Sequence, residues 1–480
     1  MNPWLAALLA VTALRLAVAA AMPLAPDEAY YWVWSRILQG GYLDHPPMIA
    51  VFIRAGTLVA GDDAFGVRLM GPLAIALASL ALADAANRLF PDRRPGVWAA
   101  ALFNATLLVG AGGILATPDL PLLVFWTLAL WAAARLHASQ DGRWWLAFGL
   151  LAGLALASKY TAVLLGAGAV AWLVACRGAW RWWWDWRLYA GGAIAMVAFA
   201  PVVAWNAGHG WVSFAKQGGR VAAGAGFTPR FLGELLAGQV GLATPIVFVL
   251  CVTGVAGAAL AWWRRGDTPA GLLVAMVVPG AALFLWQAMG SRVQGNWPGI
   301  LYPAACIAAA AFTRRRVLRW RGPAVGLGLV LALAGYLQAM FQLVPLPRRM
   351  DPTLAQLGGW DALAAAVEAE RRRIGADFVV AEEYGLAGQL ALRLPPGVKL
   401  AGLEQRRWTF FDLPPPPATG TGLLVQSTRR DSEPEWTGAV PLGTEVERSR
   451  GAQVAERYRL FRVEPRQDLP AALLPRPGGT

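Results

Sequence analysis

The stretch Ala25–Met48, APDEAYYWVWSRILQGGYLDHPPM, decides how this chain reads. It follows one apolar segment and precedes a run of others. It holds three carboxylates, Asp27, Glu28 and Asp44, and one of only three histidines, His45. It also carries the aromatic residues Tyr30, Tyr31, Trp32, Trp34 and Tyr42. Charged groups and amphipathic rings between apolar segments mark a loop at a membrane surface, where Trp and Tyr anchor at headgroup level. The whole loop covers 23–64. Within it Tyr30–Gln39 and Pro46–Ala60 read as short amphipathic helices lying in the interface.

The rest of the chain supports a membrane setting. Of 480 residues, 57% are hydrophobic, the mean hydropathy is +0.46 and 15% are charged. A typical soluble domain carries roughly 25% charge. The net charge of +13 does not indicate nucleic acid, because the arginines sit in short clusters between apolar segments. A span needs about 20 apolar residues. Segments of that kind fall near 4–22, 65–90, 97–115, 119–137, 144–158, 160–176, 188–205, 234–262, 270–289, 297–312 and 322–343. The expected fold is an α-helical polytopic membrane protein with about eleven transmembrane helices and a C-terminal α/β domain. The first segment resembles a signal peptide but lacks a basic start, so it reads as a retained span.

Arginine placement orients these spans. With the N-terminus in the cytoplasm, Arg93 and Arg94, Arg135 and Arg143, Arg177, Arg181 and Arg187, Arg264 and Arg265, and Arg314–Arg316 all fall in cytoplasmic loops. That is the positive-inside pattern. The opposite loops, which in a bacterium face the periplasm, are 23–64, 115–119, 158–160, 206–233, 290–296 and everything after about 344. The loop 206–233 includes a glycine-rich stretch at Gly218–Gly226. Two domains follow: a membrane module over 1–344 and a periplasmic α/β domain over 345–480. In the latter, Trp360–Arg373 and Tyr384–Leu394 read as helices, and Asp377–Ala381, Val398–Leu400, Leu423–Gln426 and Arg457–Val463 as strands. The cysteines Cys176, Cys251 and Cys306 lie in or beside apolar segments without metal-like spacing and read as packing residues.

Polar groups gather on the periplasmic side. The carboxylates are Asp27, Glu28, Asp44, Asp62, Asp63 and Asp119. The cations include His45, Arg54, Lys159, His209, Lys216 and Arg292, and the amides Asn206, Gln217, Gln294 and Asn296 join them. Two of the three histidines and two of the three lysines fall here. Ionisable groups near a membrane cavity are costly and mark function. The set suits glycosyl transfer from a lipid phosphate. A carboxylate takes the acceptor's proton, and cations stabilise the departing phosphate. The periplasm holds no nucleotide sugars, so a lipid-linked donor is expected.

PDEAYYW followed by GYLDHPPM resembles the GT-C superfamily, and within it glycosyltransferase family 39, the protein O-mannosyltransferases and lipid A aminoarabinose transferases. Asp27-Glu28 and His45-Pro46-Pro47 match the Asp-Glu pair and His-Pro-Pro element of the mannosyltransferases. Lys159 in ASKYTA, the TPD at Thr117–Asp119 and QGNWPGILYP at Gln294–Pro303 resemble the bacterial members, as does the C-terminal α/β domain. The chain departs from the aminoarabinose enzymes at Asp44-His45, where they carry Glu-Lys, so the resemblance does not extend to that sugar. It also lacks the extra luminal domain of the eukaryotic mannosyltransferases, which disfavours a protein acceptor.

The resemblance implies a polyprenyl-phosphate sugar as donor and a lipid or glycan, such as lipid A or its core, as acceptor. It implies Asp27 as general base, with Glu28 and Asp44 as further catalytic carboxylates. Substrate contacts are expected from His45, Arg54, Lys159, His209, Lys216, Arg292, Gln294 and Tyr31. No metal or other cofactor is expected, and a monomer in contact with membrane lipid is. Each residue also has a plainer reading: Asp27 as a helix cap, Glu28 as a first-turn acid, Asp44-His45 as a turn before two prolines, Lys159 as a snorkelling side chain. A transporter of lipid-linked sugars is the main competing class. It calls for polar groups through the full membrane depth and for internal repeats, and the sequence has neither.

Overall fold

The structure is a computed structural model. It describes residues 2–222, 228–347, 350–403, 408–430, 432–466 and 468–477, without the side chains of 220–222. Part of the glycine-rich stretch 218–226 therefore lies outside the described residues. The chain forms two compact units. One comprises 1–16, 40–49 and 71–334; the other comprises 17–39, 50–70 and 335–480. The division is not a single cut at 344–345, because two pieces of the first loop belong with the C-terminal residues.

The first unit is helical. Across the whole chain, seven described helices are long and apolar enough to cross a membrane. They are Pro3–Ala21, Ala64–Leu89, Asp119–Ser139, Trp186–Gly208, Pro245–Arg265, Thr268–Ala288 and Arg315–Phe341. Tyr160–Ala175 and Arg177–Trp184 make an eighth if their 109° bend is a broken span. The expected eleven stretches are all helical, but three fall short of a full span even with that bent pair counted as one. Trp144–Leu156 and Trp297–Phe312 are short, and 97–115 divides into Gly96–Asn104 and Leu107–Gly112. The break has a local cause: the Thr106 hydroxyl accepts from Val109 N at 3.2 Å and caps a new helix. Another break separates Pro229–Leu242 from Pro245–Arg265, where Thr244 stands at φ +67° and Pro245 starts the second helix.

Arginines at helix ends lie on aromatic rings. Arg93 sits over Phe312 at 4.7 Å, Arg321 over Trp98 at 4.1 Å, Arg181 over Trp182 at 4.2 Å and Arg135 over Trp131 at 5.1 Å. Such cation–π pairs suit an interface belt, with apolar ring bodies on one side and charge on the other. One arginine is buried inside the bundle: Arg15 Nη1 donates to Asn104 Oδ1 at 2.7 Å, and Asn104 Nδ2 donates to Ser79 Oγ at 2.8 Å. The three cysteines are buried free thiols, with Cys251 and Cys306 Sγ atoms 3.9 Å apart.

The second unit carries a six-stranded sheet. Its strands are β1 (Phe378–Ala381), β2 (Lys399–Gly402), β3 (Gly422–Ser427), β4 (Val440–Arg450), β5 (Gln453–Val463) and β6 (Ala472–Leu473). The spatial order is β4-β5-β3-β1-β2-β6. β1 pairs in parallel with β2 and β3, and the outer pairs are antiparallel. The central strands FVVA and GLLVQS are buried at every position, as parallel strands covered on both faces must be. Phe378, Val380, Leu424, Trp436 and Phe461 form the core on one face. β4 and β6 did not show in the sequence. β4 is an edge strand bearing Glu445, Glu447, Arg448 and Arg450, the charge that protects an edge from further pairing and hides its alternation.

The helix Pro26–Arg36 belongs to this unit and packs on the helix Tyr384–Arg393. Glycine permits the approach. A Cβ on Gly388 would lie 2.7 Å from Ala29 C and 2.8 Å from Tyr30 N, and one on Gly385 2.7 Å from Pro26 Cβ. The first-loop helices are Pro26–Arg36 and Met48–Ala60. The former starts four residues before the expected Tyr30, because Pro26 suits the first helical position and Glu28 Oε2 accepts from Ala25 N at 2.9 Å.

Candidate active site

In the first unit, three segments bring polar residues together. Met48 N donates to Ala157 O at 3.1 Å, tying the Asp44-His45-Pro46-Pro47 turn to the turn that carries Lys159. Tyr160 OH and Ser213 Oγ lie 2.7 Å apart, tying that turn to the helix Val212–Ala222. Within this cluster Lys216 Nζ donates to Asp44 Oδ1 at 2.5 Å, and Gln217 Nε2 donates to Asp44 O at 2.7 Å. Lys159 Nζ donates to Asp119 Oδ1 at 2.7 Å and lies 5.9 Å from the centre of the Trp297 ring. Asn296 Nδ2 donates to the other Asp119 oxygen at 2.8 Å. Both lysines of the helical unit thus stand on carboxylates. Lys159 is 7% exposed, so its charge is desolvated and its field weakly screened.

The remaining predicted residues of this unit lie at its margins. His209 stacks on Trp205, with ring centres 4.2 Å apart, and its Nδ1 is 2.7 Å from Trp205 O. Arg292 is exposed and donates to Glu234 Oε2 at 2.8 Å. Gln294 is exposed, and its carbonyl accepts from Trp297 N at 3.1 Å. The His45 carbonyl accepts from Tyr42 N at 3.2 Å, closing the turn.

In the second unit, Asp27 is exposed in the first turn of the helix Pro26–Arg36. Tyr384 OH donates to Asp27 Oδ1 at 2.9 Å. Behind it lies an aromatic wall: Tyr30 meets Tyr384 at 4.8 Å, Trp34 at 5.0 Å and Trp408 at 5.6 Å between ring centres. Tyr31 packs edge-on against Trp34 at 4.8 Å.

Glu28 occupies a different place from the one expected. It is 0% exposed, and Arg68 grips it with Nε–Oε1 at 2.7 Å and Nη2–Oε2 at 2.5 Å. The same guanidinium donates to the carbonyls of Met22 and Pro23. No acceptor reaches a carboxylate so enclosed, so Glu28 ties the end of the first span to the loop helix. Arg68 is not legible in the sequence as a partner of Glu28, because the two lie 40 residues apart. Arg54, expected as a substrate contact, lies beside Arg36 and adds a like charge to it, while Asp62 pairs with Arg36 at 2.8 Å. Burial lowers the Arg36 guanidinium below its usual range, Asp62 opposes that shift and Arg54 reinforces it. Among the described residues, no three His, Cys, Asp or Glu side chains are grouped to hold a metal ion.

Residues 44–205 match the family of dolichyl-phosphate-mannose-protein mannosyltransferases. Over 382 residues the chain is 29% identical to the lipid A galacturonosyltransferase RgtD of Rhizobium johnstonii, covering 76% of this chain and 76% of that protein. Its fold is similar to that of ArnT from Cupriavidus metallidurans. The crystal structure of ArnT bound to undecaprenyl phosphate gives a TM-score of 0.63 at 14% identity, covering 97% of this chain and 100% of that one. The apo structure of ArnT gives 0.59 at 15% identity, covering 96% and 99%.

Proposed function

We propose that this chain, a GT-C membrane glycosyltransferase, transfers a sugar from a polyprenyl-phosphate donor to a lipid A-type glycolipid at the periplasmic face of the inner membrane. The observation that carries the reading is the polar cluster in which Lys159, just past the end of the apolar helix Trp144–Leu156, and Lys216, on the short helix Val212–Ala222, are each held on a carboxylate. A lipid phosphate has its charge at the membrane surface and its tail in the bilayer. Cations fixed beside apolar helices match that amphiphile. The likeness to RgtD supports a lipid A-type acceptor, and the basic loops of the sequence support the periplasmic orientation.

The chemistry is a single inverting displacement. The acceptor oxygen bonds to the anomeric carbon as the bond from that carbon to the phosphate oxygen breaks. The acceptor's proton passes to Asp27, and polyprenyl phosphate departs with the electron pair. Lys159 and Lys216 stabilise the charge developing on the phosphate, while Asp119 and Asp44 hold the ammonium groups in place.

The test uses the purified chain in detergent, with a panel of polyprenyl-phosphate sugars that includes galacturonic acid and aminoarabinose. Lipid A is the acceptor, and release of polyprenyl phosphate is followed. One donor is expected to react in the wild type. Asp27→Asn should lose about 10²- to 10⁴-fold in rate, the usual range for removing a general base. A wild-type rate in Asp27→Asn would remove Asp27 from this role.

A further inference from the structure

The C-terminal sheet has a topological switch beside β1. From β1 the chain crosses to β2 on one side, and then passes back across to β3 on the other. In open α/β sheets, ligands bind outside the carboxyl ends of the parallel strands at such a point. Here those ends carry chemistry. Glu383 and Tyr384 follow the end of β1, and Arg429 and Arg430 follow the end of β3. All four line one cavity of about 370 Å³, together with Gln356 and Asp27.

The charges are arranged to receive a ligand. Arg448 forms part of the wall and is fully buried. It is spent on the carbonyls of Gly358 and Ala355, on Glu456 and on the face of Trp360 at 3.9 Å. Glu456 thus already has one guanidinium when Arg429 approaches it at 3.0 Å, and Arg429 remains 49% exposed. Arg430 reaches Glu383 at 3.5 Å and Glu435 at 3.2 Å. Across the cavity the exposed Asp27 accepts from Tyr384. Forked guanidinium groups suit a phosphate or carboxylate. Planar carboxylates and a phenol suit sugar hydroxyls. The volume accommodates a sugar ring with one anionic substituent.

We infer that this cavity is the acceptor subsite: it binds an anionic sugar headgroup, with the anion on Arg429 and Arg430 and a hydroxyl delivered to Asp27. Tyr384 is the positioning residue. Its hydroxyl donates to Asp27 Oδ1 and fixes the rotamer of the carboxylate that accepts the proton. The inference rests on the transferase reading for the role of Asp27, but binding at the cavity is separately measurable.

The first experiment measures equilibrium binding of fluorescent lipid A to the full chain in detergent, without donor. Dephosphorylated lipid A is the second probe. Arg429→Ala combined with Arg430→Ala should weaken lipid A binding roughly tenfold, the loss expected for a charge-assisted contact. The same variant should bind the dephosphorylated probe as the wild type does. Equal binding of lipid A by variant and wild type overturns the subsite, whether or not any donor reacts. The second experiment separates kcat from KM. With the phenol gone, Tyr384→Phe should lower kcat roughly tenfold and leave the donor KM unchanged. An unchanged kcat, or a fall in kcat accompanied by an equal rise in donor KM, would reduce Tyr384 to packing and sink its positioning role. Failure of every donor to react in the wild type, with lipid A binding still lost in the arginine variant, would count against the transferase reading and leave the subsite standing.

Discussion

Under the proposed function, the Lys159–Asp119 pair keeps a cation ready for a phosphate. An ammonium with little exposure needs a counter-charge when the ligand is absent, and Asp119 supplies it. Lys159→Ala should therefore raise the donor KM roughly tenfold or more, the worth of a charge-assisted contact, as steady-state kinetics with varied donor will show. Asp119→Asn should raise it less, since the cation stays but loses its anchor. The Glu28–Arg68 pair does a different job. Both side chains are buried, and removing one leaves the other charge without compensation. Arg68→Ala should cost about 3–5 kcal/mol, measured as a fall in thermal midpoint in detergent, with activity lost through misfolding. Equal midpoints for wild type and Arg68→Ala would show that the pair is dispensable.

At the scale of elements, the contact between Pro26–Arg36 and Tyr384–Arg393 depends on glycine. Gly388→Val would drive a branched side chain into the backbone of Ala29 and Tyr30. That overpacking should cost about 1–3 kcal/mol and displace Tyr384 from Asp27, so kcat should fall with little change in donor KM. What the sequence disclosed follows the same physics. Long apolar runs disclosed the helices, the buried strands β1 and β3 stood out as apolar segments, and β5 showed by its alternation of arginine with apolar residues. The caps at Thr106 and Pro245 that break two runs are local signals that hydropathy averages away. β4 was hidden by its own charge. Asp27, Lys159 and Lys216 were visible as polar residues in the stretches between spans. Tyr384 was not, because it sits in an ordinary helix start and gains its meaning only from a partner in the first loop. Its one legible signal is position, directly after a buried parallel strand.

At the scale of the whole molecule, the C-terminal sheet carries a pH liability. Glu382 is buried at the end of β1, with Oε1 accepting from Glu435 N at 2.9 Å. Burial raises its carboxyl above the ordinary range, while the Glu435 amide and Gln426 oppose that shift. The folded chain therefore holds this proton to higher pH than the unfolded chain, in which the group titrates near about 4.3. Stability from the neutral form is complete below that value and is lost as pH rises through the raised native value. Glu382→Gln keeps the acceptor oxygen and has no charge to bury. Its thermal midpoint should gain on the wild type as pH rises from about 4 towards 7. Parallel curves for the two proteins over that window would exclude Glu382 as the source.

The hydrogen bond between Tyr384 and Asp27 joins residues 357 positions apart. A ribosome adding roughly 5–20 residues per second needs about 20–70 s to make that interval. For all that time the first loop exists in the membrane with its carboxylate unsupported and the helix Pro26–Arg36 lacking the surface that buries its aromatic face. Completion of the structure around Asp27 is thus timed by synthesis of the last quarter of the chain. A nascent or truncated product that stops short of the sheet carries every described span together with Lys159 and Lys216, yet lacks the hydroxyl that donates to Asp27. Under the proposed function, such a copy would hold donor lipid without turning it over, and a chain cut before residue 378 tests this by donor binding against polyprenyl phosphate release.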